Sequence, residues 1–180
     1  MQERLFVALE LPDDVKDALS SLATGVPGAY PQEEDTLHLT VRYLGALDGR
    51  RAQDFAEKLR RFEVAPFELT LSGLGFFPLR GEPESLWVGA EKCAALEALR
   101  SKVDLLAVRL GVESDRRRFI PHVTLARLND APESRLASFL SGNGLWKSRA
   151  IPIDRMTLFS SHARDWGYEY EREEVFLLRE

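Results

Sequence analysis

Two hydrophobic periods alternate along this chain. RLFVALE, residues 4–10, reads as a strand. Pro12 with Asp13 and Asp14 then opens a helix, where acidic residues suit the positive end of the helix dipole. Its apolar positions Val15, Leu19 and Leu22 recur at helical spacing, and Gly25 with the PGAYP stretch ends it. TLHLTVRYLG, 36–45, alternates and is β-branched, which predicts a strand. Residues 49–62 predict a helix with Phe55, Leu59 and Phe62 on one face, followed by strands over 67–77 and 85–90. Residues 91–110 predict a helix with a Leu96, Leu99, Val103 and Leu106 stripe, and Gly111 stands where a C-terminal cap would sit. RRFIPHVTLARL, 117–128, predicts a strand, 132–141 a short helix, and 151–161 and 170–178 two more strands.

This order contains an internal repeat. LFVALE (5–10) resembles LWVGAE (86–91), and HLTV (38–41) resembles HVTL (122–125), with a predicted helix after each. FELTLSGL (67–74) matches IPIDRMTL (151–158) in pattern, and both the two histidines and the strand starts Phe67 and Ile151 stand 84 residues apart. The expectation is one domain over 1–180 with pseudo-repeat halves at about 4–77 and 85–178, and a boundary in the proline- and glycine-rich stretch 78–85. Halves of this kind pack about a pseudo-twofold axis, so equivalent residues face each other across a central cleft. The predicted fold class is α+β and bilobed: two pseudo-twofold-related antiparallel sheets facing that cleft, with helices outside.

Composition narrows the function. The formal net charge of −5 lacks the broad basic surface of a nonspecific nucleic-acid binder. Local basic clusters at Arg50-Arg51, Arg60-Arg61, Arg116-Arg117-Arg118 and Lys147 with Arg149 read first as solvated faces. A single cysteine, Cys93, excludes an intrachain disulfide and a cysteine-based zinc site, and fits a reducing cytosol. The apolar run of MQERLFVALELP is too short for a signal peptide, and nothing approaches the roughly 20 apolar residues of a membrane span.

Two of the three histidines, His38 and His122, occur in the pattern His-apolar-Thr-apolar, each in the same predicted strand of its half. Strand side chains alternate, so His38 and Thr40 point one way and Leu39 and Val41 the other; His122 and Thr124 behave likewise. One such motif is ordinarily structural. A matched pair facing a cleft offers two imidazoles, one able to be neutral and the other protonated near neutrality, and two hydroxyls for phosphate oxygens. His162, in SSHARDW, reads as a surface or loop histidine. No carboxylate stands at ligand spacing beside either motif and no HExxH occurs, so no metal is expected. The chain also lacks G-x-S-x-G and G-x-x-x-x-G-K-[ST], and Cys93 reads as a packed thiol.

The paired HLTV and HVTL resemble the signature of the two-histidine (2H) phosphoesterases. RLFVALELP, HLTVRYLG, GFFPLRGEPESLWVGA, PHVTLARL and LFSSHARDWGYEY are similar, in order, to the bacterial and archaeal LigT-like branch, the 2′-5′ RNA ligases or RNA 2′,3′-cyclic phosphodiesterases. The resemblance implies hydrolysis of an RNA 2′,3′-cyclic phosphate end to a 2′-phosphomonoester, with no metal or cofactor. It implies His38 as proton donor and His122 as proton acceptor, with Thr40 and Thr124 on the phosphate. It also implies a phosphate contact for Arg127, five residues after His122; simple alternation turns Arg127 away, so a bulge or the end of the strand is required to bring it round. Arg42 shares the face of His38 by alternation and is the weaker candidate.

The expected partner is RNA with a cyclic phosphate end, tRNA fragments among them, with no membrane partner, a cytoplasmic location and a monomeric state. ATP-independent 2′-5′ joining by the same site is secondary, because water at about 55 M favours hydrolysis. Two alternatives remain: a non-catalytic RNA- or tRNA-binding module with Phe76, Phe77, Trp87 and Tyr168 stacking bases, and a cyclic phosphodiesterase of small nucleotides.

Overall fold

The computed structural model describes residues 2–79, 82–165 and 167–180. In chain order the elements are β1 (Gln2–Glu10), α1 (Asp13–Ala23), β2 (Ala29–Pro31), a 3-10 turn (Glu34–Thr36), β3 (His38–Asp48), α2 (Gly49–Leu59), β4 (Phe67–Leu69) and β5 (Leu71–Leu79). They continue with β6 (Glu82–Ala90), α3 (Ala94–Arg109), β7 (His122–Leu128), α4 (Glu133–Gly142), β8 (Ile151–Ile153), β9 (Arg155–Arg164) and β10 (Gly167–Leu177). All strand pairings are antiparallel. The fold is α+β, as expected.

The main sheet runs β10-β9-β1-β3-β7-β6-β5, with β2 also on β7; β4 and β8 form a second, two-stranded sheet. The order is a palindrome: β9-β1-β3 mirrors β5-β6-β7, and the two wings join through a single partner pair, Leu39 with Val123. Each wing takes its outer strand from the other half of the sequence. β5, from the first half, pairs with β6, and β9, from the second, pairs with β1. The predicted boundary at 78–85 includes Arg80 and Gly81, which lie outside the described residues.

Local chemistry explains the helix ends. Asp48 caps α2, its carboxylate accepting from the Arg51 backbone N–H at 3.0 Å. α3 is closed just beyond its C-cap Leu110 by Gly111, whose φ of +83° permits the paired closing bonds Gly111 N–H to Val108 and Val112 N–H to Ala107. Several predicted bounds move. The strands expected over 67–77 and 151–161 break at Thr70 and Asp154, again 84 residues apart, which separates the small sheet from the large one. The strand expected from 117 begins only at His122, and the helix expected from 91 begins at Ala94.

One face of the main sheet carries the core. Leu5, Val7 and Leu9 of β1, Leu39 and Val41 of β3, Leu86 and Val88 of β6, and Val123 and Leu125 of β7 are buried with Val15 and Leu19 of α1, Phe55 and Leu59 of α2, and Leu96, Leu99 and Val103 of α3. The opposite face of β1 and β9 carries only a small cluster of Phe6, Ala8 and Phe159. The helices therefore cover the side away from the two histidines. Leu39 is fully buried at the seam, so Leu39→Ala should cost about 2–5 kcal/mol, read as a lowered urea midpoint. A change below about 1 kcal/mol would mean that the seam is not part of the cooperative core.

Candidate active site

His38 opens β3 and His122 opens β7. Because Leu39 pairs with Val123 in antiparallel register, His38, Thr40, His122 and Thr124 all point away from the core on one face. In such a register His38 lies opposite Thr124 and Thr40 opposite His122, and the histidines are diagonal neighbours roughly 7–8 Å apart at the backbone.

Both rings are held in the same way. His38 Nδ1–H donates to the Thr36 carbonyl at 2.6 Å, and His122 Nδ1–H donates to the Ile120 carbonyl at 2.7 Å. A carbonyl can only accept, so each neutral ring carries its proton on Nδ1 and presents a lone pair at Nε2. The Thr40 hydroxyl donates to His38 Nε2 at 3.1 Å. Aromatic walls flank the rings: Phe6, Phe159 and Tyr170 lie 5.0, 6.1 and 5.3 Å from His38, and Phe77 and Trp87 lie 4.8 and 6.0 Å from His122. Gly75 makes the second wall possible, because a Cβ there would overlap the indole of Trp87.

Burial decides the charge state. Removal from water pushes His38 down from 6.5 to about 4; the Thr36 carbonyl opposes this, the nearby His122 adds to it, and Glu10 opposes it weakly. Burial also lowers His122, against the Ile120 carbonyl. Both rings therefore favour the neutral form at pH 7 in the free protein.

A one-residue bulge directly after each motif's threonine completes the site. Ala8 pairs with Thr40 and Val7 with Arg42, so Val41 is the extra residue of β3; Trp87 pairs with Thr124 and Leu86 with Ala126, so Leu125 is the extra residue of β7. Each bulge reverses the alternation. Arg127 is thereby turned to the face of His122 and is exposed, while its counterpart 84 residues earlier is Tyr43. Arg42, expected on the face of His38, is instead turned toward the core face, 5% exposed and bonded to Asp104 and to the carbonyls of Tyr43 and Glu113.

A cleft of about 310 Å³ beside His38 is lined by Arg4, Phe6, Thr40, Tyr43, Ser161, Tyr168 and Tyr170 as well. The sequence reading missed Arg4, Phe6, Tyr43, Ser161 and Tyr170; the 84-residue offset from Arg127 was the available signal for Tyr43. Of the four aromatics proposed to stack bases, Phe77 and Trp87 flank His122, Tyr168 lines the cleft, and Phe76 takes the other face of β5. His162 lies within β9 rather than in a loop, next to the cleft residue Ser161 and thus on the opposite face, where Ser160 bonds its Nε2 at 2.9 Å. His162, Glu171 and Glu173 bring one potential metal ligand each within 4.8 Å of one another, apart from the paired histidines. The basic clusters face acids: Arg51 with Asp48, Arg60 with Glu174, Arg61 with Glu57, Arg117 with Asp115, Lys147 with Glu91 and Arg149 with Asp14. Among the described residues no helix is long and apolar enough to cross a membrane.

Comparison with known proteins decides the family. A model of the 2′-5′ RNA ligase superfamily matches residues 5–165. The chain belongs to this superfamily. An RNA 2′,3′-cyclic phosphodiesterase of Thermus thermophilus is 35% identical over 98% of the chain and 90% of the relative, and one of Methanothermobacter thermautotrophicus is 27% identical over 99% and 100%. Some matches to such relatives are partial, spanning 41% of a Geobacillus stearothermophilus protein and 61% of one from Aeropyrum pernix. Among solved structures, TT0787 of Thermus thermophilus superposes with a TM-score of 0.81 at 28% identity over 98% of both chains. Escherichia coli LigT complexed with 3′-AMP gives 0.79 at 24% identity over the full length of both, a likeness of fold.

The lowered histidines carry a stability signature. A ring neutral in the fold but protonated in the unfolded chain contributes stability that is present above pH 6.5 and lost as pH falls toward 4. For His38 this loss is on the order of 3 kcal/mol. The urea midpoint of the wild type should therefore fall more steeply between pH 7 and 4.5 than that of His38→Gln; equal slopes would contradict the burial of a neutral ring.

Proposed function

We propose that this chain is an RNA 2′,3′-cyclic phosphodiesterase that hydrolyses cyclic phosphate ends to 2′-phosphomonoesters by acid/base catalysis from His38 and His122, without a metal. The observation that carries this reading is the shared face: two imidazoles, each tied through Nδ1–H to a backbone carbonyl so that Nε2 is left free of it, stand on the face that Thr40 and Thr124 also share. The RNA 2′,3′-cyclic phosphodiesterases among its relatives support the substrate class.

In the proposed sequence, water attacks phosphorus in line with the bond to the 3′ oxygen and passes its proton to His122 Nε2. His38 protonates the departing 3′ oxygen. That role requires a charged His38, whose pKa of about 4 in the free protein must rise. The negative phosphate supplies the rise, because an anion in hydrogen-bond range favours the imidazolium. Binding then draws a proton onto His38. Thr40, Thr124 and Arg127 donate to the phosphoryl oxygens as charge accumulates on them. Tyr168 and Tyr170 line the cleft that would receive the nucleoside. Substrates include tRNA fragments on this reading, and the setting is cytosolic, consistent with the single thiol. The palindromic sheet, which already pairs the two halves of the sequence, supports one domain acting as a monomer.

The ligase direction uses the same groups in reverse and is the minor one in water. The cleft beside His38 has room for one nucleoside, which keeps free 2′,3′-cyclic nucleotides as a second substrate reading. Comparing rates on a mononucleotide and on an oligomer separates these, and binding without conversion would favour the non-catalytic module.

His38→Ala and His122→Ala should each lose roughly 100- to 10,000-fold in kcat on a cyclic-phosphate oligonucleotide while remaining folded. EDTA should leave the wild-type rate unchanged, and the product should carry a 2′-phosphate. Undiminished turnover by either histidine variant would remove the assignment.

A further inference from the structure

Arg42 joins the strand of His38 to the segment that leads into His122. It lies four residues after His38, and the bulge at Val41 sends its guanidinium to the helix-covered face, where it is 5% exposed. Its Nε donates to Asp104 of α3 at 2.7 Å, Nη1 to the Tyr43 carbonyl at 2.8 Å, and Nη2 to the Glu113 carbonyl. Glu113 belongs to residues 112–121, which contain no helix or strand. Asp115 of the same segment lies 3.9 Å from Arg42 Nη1 and 3.5 Å from Arg100 Nη2, and the Arg100 guanidinium sits 5.4 Å from the Phe119 ring centre. Arg117 Nε also bonds Asp115 at 3.0 Å, so three guanidiniums and two carboxylates gather around the stretch that ends in Ile120, the residue whose carbonyl orients the His122 ring.

The first half does this locally. The carbonyl that orients His38 belongs to Thr36, in a 3-10 turn closed by Thr36 N–H to Glu33 at 2.9 Å and Leu37 N–H to Glu34 at 3.2 Å. No comparable turn precedes Ile120, and the counterpart of Arg42 in the second strand is Ala126. The burden on the His122 side therefore falls on a long-range clamp.

We propose that Arg42 is a positioning residue, which fixes the inter-imidazole geometry by clamping residues 113–119, and through them the Ile120 carbonyl, to the strand that carries His38. It touches no substrate. The assignment rests on the two-histidine reading for its kinetic consequence, and on the hydrogen bonds alone for its structural one. A ring freed from its carbonyl samples orientations in which Nε2 misses the phosphate, which lowers kcat more than it raises KM.

The test compares wild type, Arg42→Met, Arg42→Lys and Asp115→Asn in kcat, KM and histidine side-chain NMR. Folded Arg42→Met should lose roughly 10- to 100-fold in kcat with KM nearly unchanged. The slowly exchanging Nδ1–H resonance of His122 should weaken while that of His38 persists. Arg42→Lys, which keeps the charge without the three-way fork, should recover part of the rate. Should Arg42→Met fail to fold, Asp115→Asn, at the rim of the cluster, decides by the same readouts. Wild-type kcat together with an unaltered His122 resonance in the folded variants would overturn the clamp. Absence of turnover in the wild type would sink the proposed function instead, and the NMR comparison would still decide the clamp.

Discussion

A single strand pairing sets the geometry on which everything else rests. Leu39 opposite Val123 joins the two wings of the sheet and, because strand side chains alternate, sends the four side chains around that pair to the face the helices leave uncovered. A slip of one residue would bury both imidazoles and expose both apolar partners. The full burial of Leu39 and Val123 in the core opposes that slip, so the hydrophobic pattern of two short motifs enforces the meeting of two rings that are 84 residues apart in sequence.

The second constraint is a pair of irregularities. An extra residue just after the threonine of each motif, Val41 or Leu125, puts two successive side chains on the core side and then returns the next one to the face of the histidines. In β7 the returned residue is Arg127; in β3 it is Tyr43. The same device sends Arg42 inward, into contact with α3 and with the approach to His122. Pseudo-symmetry of backbone is thus used asymmetrically: one half presents a cation on the face of its histidine, the other an aromatic ring at the edge of a cleft.

Much of this was legible in the residues. Alternation in HLTV and HVTL gave the face of both histidines and both threonines, and the repeat gave their convergence. That Arg127 needed either a bulge or the end of its strand could be stated from its five-residue offset. The matching bulge in β3 could not be read from Arg42 alone, because a four-residue offset satisfies simple alternation and raises no conflict. The exchange of β5 and β9 between wings was also hidden, since sequence order does not reveal which strand edge a partner will take. Burial of the rings, and with it their preference for the neutral form, depends on Phe6, Phe159, Phe77 and Trp87, which converge from four separate strands.

The most direct measurement is a titration of the protein with inorganic phosphate, followed by histidine side-chain ¹H–¹⁵N NMR at several pH values. One anion bridging both rings predicts that the Nε2 signals of His38 and His122 move with a single saturation curve, and that the pKa of His38 climbs from about 4 as phosphate binds. A response from only one ring, or two rings saturating at different phosphate concentrations, would contradict a shared site.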